Sequence, residues 1–288
     1  MDELISVIVS TYNRPDALDA VLRSLSRQSD RHFEIVVADD GSGVATKRVI
    51  RDWIARAPVP LKHVWHEDRG FRLAEIRNRG IRESAGRYLV FLDGDCIAWP
   101  SFVAAHRRLA EAGWFVVGNR ILMSRRLTGQ ALAGTSMPAL EPEQLGLFAC
   151  ISLRARGDLN RLAPLLTLPL GGLRKRRASR WRGASGSNMA FWRGDLEAVD
   201  GFDAAFTGWG REDSDIFVRL IRAGVHRKDG RFATGVLHLW HREAERSGLE
   251  GNERRLAEVI DGNEIKARRG LSWRDRTQKP DAVLDGTR

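Results

Sequence analysis

A chain of 288 residues with 43 % hydrophobic content is long enough to bury a sizeable core, as one large domain or two smaller lobes. Its 47 Lys and Arg against 37 Asp and Glu leave a formal charge of +10, which suits a polyanionic partner: nucleic acid, an anionic membrane surface or a phosphorylated substrate. No run of 18 uncharged apolar residues offers a membrane span, and Cys96 and Cys150 alone make neither a disulfide framework nor a four-Cys zinc site.

The N-terminus has no positive leader and runs straight into "ISVIVS" (5–10), a β-branched strand. That argues against a secretory signal and, with the cysteine usage, for a reducing, cytoplasmic setting. Pro15 suits a first helical turn, and Leu18, Val21, Leu22 and Leu25 recur on one helical face. "FEIVVA" (33–38) is a second strand ending in the polar turn Asp39-Asp40-Gly41-Ser42. A helix over about 44–57, a strand near 61–66, a helix over about 73–84 and the strand "RYLVFL" (87–92) follow. This alternation predicts an open, mostly parallel sheet with helices on both faces, in which ligands bind beyond the carboxyl ends of the strands. Those ends are Ser10-Thr11, Asp39-Asp40 and Asp93-Gly94-Asp95, all expected to open onto one crevice.

The second half is less regular. "WFVVGN" (114–119) reads as a strand, and 124–182 as loop-rich. Within 186–203 the pattern gives a strand and then a short helix from Gly194-Asp195. Asp213 to Ala223 has helical spacing with Gly224 as its stop, and 235–243 is strand-like. Beyond about 245 the chain is polar and charged, and the last dozen residues look frayed.

Four stretches carry chemistry. Asp93-Gly94-Asp95 sets two carboxylates at the lip of a strand, either as a plain acidic turn or as a site for Mg2+ or Mn2+, which take oxygen ligands. In His238-Leu239-Trp240-His241, residues three apart on a strand face opposite ways, so both imidazoles reach one ion only if the chain turns; His241, where the apolar run ends, is the stronger candidate and His238 the weaker. "GWGREDSD" (208–215) puts three carboxylates at a helix start, where they complement the helix dipole. The dipole does not explain Trp209 between two glycines, whose exposed face would suit the apolar side of a sugar, with a carboxylate beside it to take a hydroxyl proton. The fourth stretch, "LLTLPLGGLRKRRASRWR" (165–182), joins apolar residues to six Lys/Arg, as a solvated loop or as a contact with an anionic membrane.

Taken together, "ISVIVSTYNRPDAL", "EIVVADDGS" and "EIRNRGIRESAGRYLVFLDGDC" resemble the family-2 glycosyltransferases of the GT-A fold. "GSNMAFWRGDLEAVDGFDAAFTGWGREDSDIFVRLIRAG" and "HLWH" are similar to the galactosyltransferase-type module of β-1,4-galactosyltransferases and bacterial chondroitin-polymerase-like enzymes. The resemblance implies a single GT-A catalytic domain in two halves. Residues 1–98 would bind the nucleotide-sugar, 99–243 the acceptor, with the module at about 184–243, and 244–288 would be a polar extension. It further implies an inverting hexosyltransferase that uses a UDP-sugar (galactose, an N-acetylhexosamine or a similar sugar) with Mn2+ or Mg2+, acting in bacterial surface polysaccharide or lipopolysaccharide synthesis. Ser10, Thr11 and Tyr12 fall where the family holds the nucleotide, Asp40 at the uracil, Arg77 at base or phosphate, and Asp93 near the ribose. Asp95 and His241 are the implied metal ligands, while His238 stands where animal relatives carry a Met. Asp213 takes the position of the general base, Glu212 that of a contact to sugar hydroxyls, Asp215 a structural role, and Trp209 lines the donor–acceptor junction. Arg211 departs from the small residue, typically Gly, found there in relatives, which alters the expected acceptor pocket.

A saccharide acceptor, in one version lipid-linked at the inner face of the membrane and reached through 165–182, is the expected partner. The rival class is a basic polyanion- or nucleic-acid-binding protein without catalysis. No helix-turn-helix, zinc-finger or RNA-recognition signature supports it, and a site lined with carboxylates would repel phosphates without a metal.

Overall fold

The computed structural model describes residues 2–133, 147–161, 167–242, 246 and 248–273, with 147–150 and 282–285 described at the backbone only. Eight strands form the central sheet: β1 (Ile5–Thr11), β2 (Phe33–Asp39), β3 (Leu61–Trp65), β4 (Tyr88–Asp93), β6 (Trp114–Val117), β8 (Asn188–Trp192), β9 (His226–Asp229) and β11 (Ala282–Asp285). Their spatial order is β11-β3-β2-β1-β4-β8-β6-β9. The run β3-β2-β1-β4 is parallel, as the βα alternation predicts, while β8 is antiparallel to both β4 and β6. Parallel strands are covered on both faces, and β1 and β2 are buried at every residue.

One face carries α1 (Pro15–Ser26), α2 (Val44–Arg56) and α4 (Phe102–Leu109), whose Leu18, Leu22, Ile50, Trp53 and Phe102 join Val7, Val9 and Val90 in one core. The other carries α3 (Leu73–Glu83), α7 (Arg193–Ala198) and α8 (Glu212–Arg222), packing Ile76, Leu196 and Phe217 on Ile8, Phe91 and Phe191. Phe217 stacks on Phe115 with centroids 5.3 Å apart, which fixes α8 against β6.

A second sheet, β5 (Cys96–Ala98), β10 (Val236–His238) and β7 (Arg120–Leu122), continues beyond β4 with β10 central. The strand expected over 235–243 is thus only Val236–His238. The structure also adds regular elements where the pattern reads as loop-rich, polar or frayed. Between 124 and 182 lie α5 (Arg125–Leu132), α6 (Leu147–Ala155) and a 3-10 turn at Gly171–Lys175. The polar stretch after 245 holds a 13-residue helix, α9 (Leu249–Asp261), and β11 falls within the last dozen residues. Residues 165 and 166 of the apolar-basic segment lie outside the described residues. Among those described, no helix is long and apolar enough to cross a membrane.

Candidate active site

The carboxyl ends of β1, β2 and β4 meet the start of α8 and the turn after β10 around one cleft of about 830 Å³. Ser10, Thr11, Tyr12, Asp40, Arg77, Asp93, Asp95, Trp209, Glu212, Asp213, His238 and His241 all line it. The loops that follow β1 and β2 are clasped together: Asn13 donates its backbone N–H to Ser42 Oγ (2.9 Å) and accepts from Gly43 N at Oδ1 (2.9 Å). Asp39 is the exception to the expected crevice. It is fully buried, within 3.0 Å of His63 Nε2 and accepting from Ser42 N, and it does not reach the cleft.

At the lip of β4, Gly94 N–H donates to Ser10 O at 2.7 Å, and a Cβ on Gly94 would stand 2.6 Å from that oxygen. Only glycine lets the strand end turn this closely, and the turn separates Asp93 from Asp95. Asp95 faces the second sheet: its Oδ2 lies 3.2 Å from His241 Nε2 and 3.5 Å from His238 Nε2. Ligand atoms of Asp95, His238 and His241 fall within 4.8 Å of one another. The chain does turn, because β10 ends at His238, Leu239 N–H goes to Asp95 O (2.9 Å) and Trp240 N–H to Thr128 Oγ1 on α5 (2.8 Å). Burial works to raise the Asp95 carboxyl, but the hydrogen bond from His241 and both imidazoles outweigh it and hold it below the usual range. The hydrogen bond to Asp95 raises His241, whereas burial lowers His238.

Opposite these groups stands the acidic start of α8. Arg77, 1 % exposed on α3, reaches Asp93 Oδ1 and Gly186 O through Nη2 and Glu212 Oε1 through Nη1, each at 3.2 Å. Arg77 thus braces two protein carboxylates while still lining the cleft. Burial, reinforced by the charge of Asp213, pushes the Glu212 carboxyl up to about 7 against the pull of Arg77. Burial likewise raises Asp93, with Arg77 opposing. Asp213 accepts from Gly186 N at Oδ2 (2.8 Å) and from Ser214 N at Oδ1 (2.7 Å), so its carboxylate is held between β8's approach and its own helix. A Cβ on Gly186 would sit 2.9 Å from Asp213 Cβ, so this pairing needs glycine. Asp215 points away from the cleft and pairs with buried Arg219 at 2.6 Å.

Trp209 is 38 % exposed between Gly208 and Gly210, both at positive φ, and the Arg246 guanidinium lies 4.8 Å from its ring. Arg211, where a small residue was expected, holds φ +79 and pairs with Glu253 on α9 at 2.7 Å. Asp40 accepts from His66 Nε2 (2.5 Å) and from Arg72 N (2.9 Å), and Tyr12 OH donates to Asp68 (2.8 Å). Ser10 and Thr11 line the cleft, and their hydroxyls are buried with no hydrogen-bond partner among the described residues.

Pattern reading missed His66, Asp68, Trp240 and Leu249. His66 and Asp68 follow β3 too closely for periodicity to single them out, Trp240 reads as strand, and Leu249 belongs to a helix with few apolar residues.

Comparison with known proteins agrees with this geometry. The profile of glycosyl transferase family 2 matches residues 6–142, and that described as the N-terminal domain of galactosyltransferase matches 173–242. A validoxylamine A glucosyltransferase of Streptomyces hygroscopicus subsp. jinggangensis is 32 % identical over 244 residues, covering 81 % of this chain and 55 % of that one. The chondroitin synthase of Escherichia coli is 26 % identical over 243 residues, 77 % of this chain and 33 % of its own. The chain thus spans about half the length of the Streptomyces relatives it matches. Among solved structures, S. aureus TarS 1-349 with UDP superposes with a TM-score of 0.59 at 14 % identity, over 89 % of this chain and 65 % of that one. A mannosyltransferase from Pyrobaculum calidifontis with GDP-Man and Mn2+ gives 0.56 at 19 %, over 90 % and 65 %. The neighbours share the GT-A fold, the two profile matches stand in order along the chain, and residues 6–142 belong to glycosyltransferase family 2.

Proposed function

We propose that this chain moves a sugar from a UDP-sugar to a hydroxyl of a saccharide acceptor, with inversion, at a site holding a divalent ion through Asp95, His241 and His238. One observation carries the reading: a single cleft has the Asp95–His238–His241 cluster at its sheet edge and the Glu212–Asp213 pair at the start of α8. The donor set fits a metal, since one carboxylate and two imidazoles converge from two stretches of chain. Imidazole ligands favour Mn2+ over Mg2+. When bound, such an ion neutralises the charge that develops on the departing diphosphate. The S. aureus and Pyrobaculum neighbours, solved with UDP and with GDP-Man and Mn2+, support a nucleotide-sugar donor and a metal.

The chain's own residues supply the rest. Ser10 and Thr11 offer hydroxyls to the nucleotide, Tyr12 a ring edge, Asp40 an acceptor for the base and Asp93 one for the ribose. Asp213 is assigned the acceptor hydroxyl's proton, because a neutral hydroxyl is a poor nucleophile and needs a carboxylate to accept its proton during attack. Glu212, raised to about 7, hydrogen-bonds sugar hydroxyls, and Trp209 presents an apolar face to the ring. With the base and the metal ligands in separate walls of the cleft, attack and departure lie on opposite sides of the anomeric carbon, so one displacement inverts it.

The relatives' names, a validoxylamine A glucosyltransferase and a chondroitin synthase among them, support sugar transfer, and surface polysaccharide or lipopolysaccharide synthesis is the setting proposed for it. The exposed Leu168 and Leu173, next to exposed Arg176, Arg177, Arg180 and Arg182, favour an acceptor anchored in an anionic bilayer at the cytoplasmic face. A panel of UDP-sugars incubated with Mn2+ tests the reading. Turnover of one of them, abolished by EDTA, is expected; binding to heparin that ignores EDTA, with no turnover of any, would show a polyanion binder instead.

A further inference from the structure

Past residue 242, where the galactosyltransferase match stops, the polar chain forms α9. This helix grips the loop that carries Trp209. Asn252 is 3 % exposed, and its one amide nitrogen donates to Thr207 O (3.0 Å) and to Gly210 O (2.9 Å), the carbonyls on either side of Gly208-Trp209. Both hydrogens of that amide are therefore spent on the platform loop. From the opposite side Gly208 N–H donates to Phe71 O at 2.9 Å, so the loop is held between α9 and the segment before α3. Arg246, just ahead of α9, covers Trp209, and Glu253, next to Asn252, holds Arg211. The helix is itself fixed to α8, where Arg222 donates to Val259 O and Ile260 O at the end of α9. Leu249 of α9 also lines the cleft.

We propose that Asn252 is the positioning residue of the Trp209 platform, and that through it α9 sets how this chain seats its acceptor sugar. This rests on the transferase reading above. Asn252 touches no reacting atom. It fixes two carbonyls whose placement decides the angle of the indole, and a small misplacement of a platform costs productive encounters with the acceptor more than it costs donor binding.

Two measurements test it, with Asn252→Ala and with Asn252→Leu, which keeps the side-chain volume without the donor and so guards against collapse of the site. The first uses protein labelled with 5-fluorotryptophan. The 19F resonance of Trp209, assigned through Trp209→Phe, is expected to move or split in both variants while the other tryptophan resonances stay in place. The second compares transfer to a panel of p-nitrophenyl hexosides with hydrolysis of the same UDP-sugar. The ratio of transfer to hydrolysis is expected to fall about tenfold in Asn252→Ala, and not to fall further when that change is added to Trp209→Ala, as for two residues acting as one unit. An unmoved Trp209 resonance, or a ratio equal to that of the native enzyme, overturns the role of Asn252. A native enzyme without metal-dependent donor turnover overturns the transferase reading instead, and with it the assignment of α9 to an acceptor.

Discussion

Glu212 and Asp213 are neighbours in sequence and unequal in surroundings. Glu212 is buried against Arg77, whereas Asp213 accepts from two backbone amides at the cleft wall. Asp213→Asn keeps the shape and removes the base, so transfer should drop by at least about 100-fold while UDP retention survives, read by initial rates and by titration with UDP. Glu212→Gln separates stability from activity. The native carboxyl is raised from 4.5 to about 7, so between these values the folded state keeps a proton that the unfolded state has released, and stability declines as pH rises. Glutamine keeps an oxygen for Arg77 and carries no charge to bury. Without metal or donor, the melting temperature of Glu212→Gln minus that of the native chain should therefore grow from pH 5 to pH 8, by about 2–4 °C for each kcal/mol relieved. A difference that stays flat across that range refutes the burial argument. His238 is a third test at this scale: His238→Ala should weaken Mn2+ binding at least about tenfold by calorimetry. If it leaves the affinity intact, the ion is held by Asp95 and His241 without it.

The elements that were plain in the sequence are those whose local pattern and tertiary role coincide. β1, β2, β4, α1 and α8 have apolar periodicity because the same residues that mark the element fill the core. The acidic strand end and the acidic helix start were legible for the same reason, since each sits where an element stops or begins. α5, α9 and the turn after β10 were not. α9 buries little beyond Asn252, Leu256 and Val259, so its sequence looks like solvated chain until α8 is there to receive it. The turn that brings His238 and His241 together depends on Thr128 of α5, more than a hundred residues away, and no spacing rule contains that distance. Arg211 at the head of α8 is a local conflict of another kind. A residue with a Cβ at φ +79 costs about 1 kcal/mol or more, and the exposed ion pair with Glu253 returns less. Arg211→Gly should accordingly raise the midpoint of urea unfolding while changing which acceptors are used. A lowered midpoint would mean that the Glu253 pair outweighs the strain.

For the molecule as a whole, a charge of +10 is spread unevenly, and part of the basic segment serves the fold. Arg174 is buried and donates to Asp229 O and Leu168 O, and Lys175 pairs with Glu111, so deleting 170–182 would damage the structure whatever its role. Replacing only exposed Arg176, Arg177, Arg180 and Arg182 with Glu is the clean test. Sedimentation with vesicles rich in phosphatidylserine should weaken by roughly fivefold per arginine, at about 1 kcal/mol each, with donor hydrolysis in solution unchanged. Equal sedimentation of native and substituted protein would remove the bilayer from the account. The same scale exposes a limit on recombination. β4, in the half proposed to bind the donor, shares its other long edge with β8, so residues on either side of 98 are sewn along a seam of five residue pairs from Tyr88–Trp192 to Leu92–Asn188. A chimera joined near residue 98, the boundary that the motifs suggest, would import one side of that seam without the other. Grafting donor selectivity from a relative should therefore succeed only when the β8 partner travels with it.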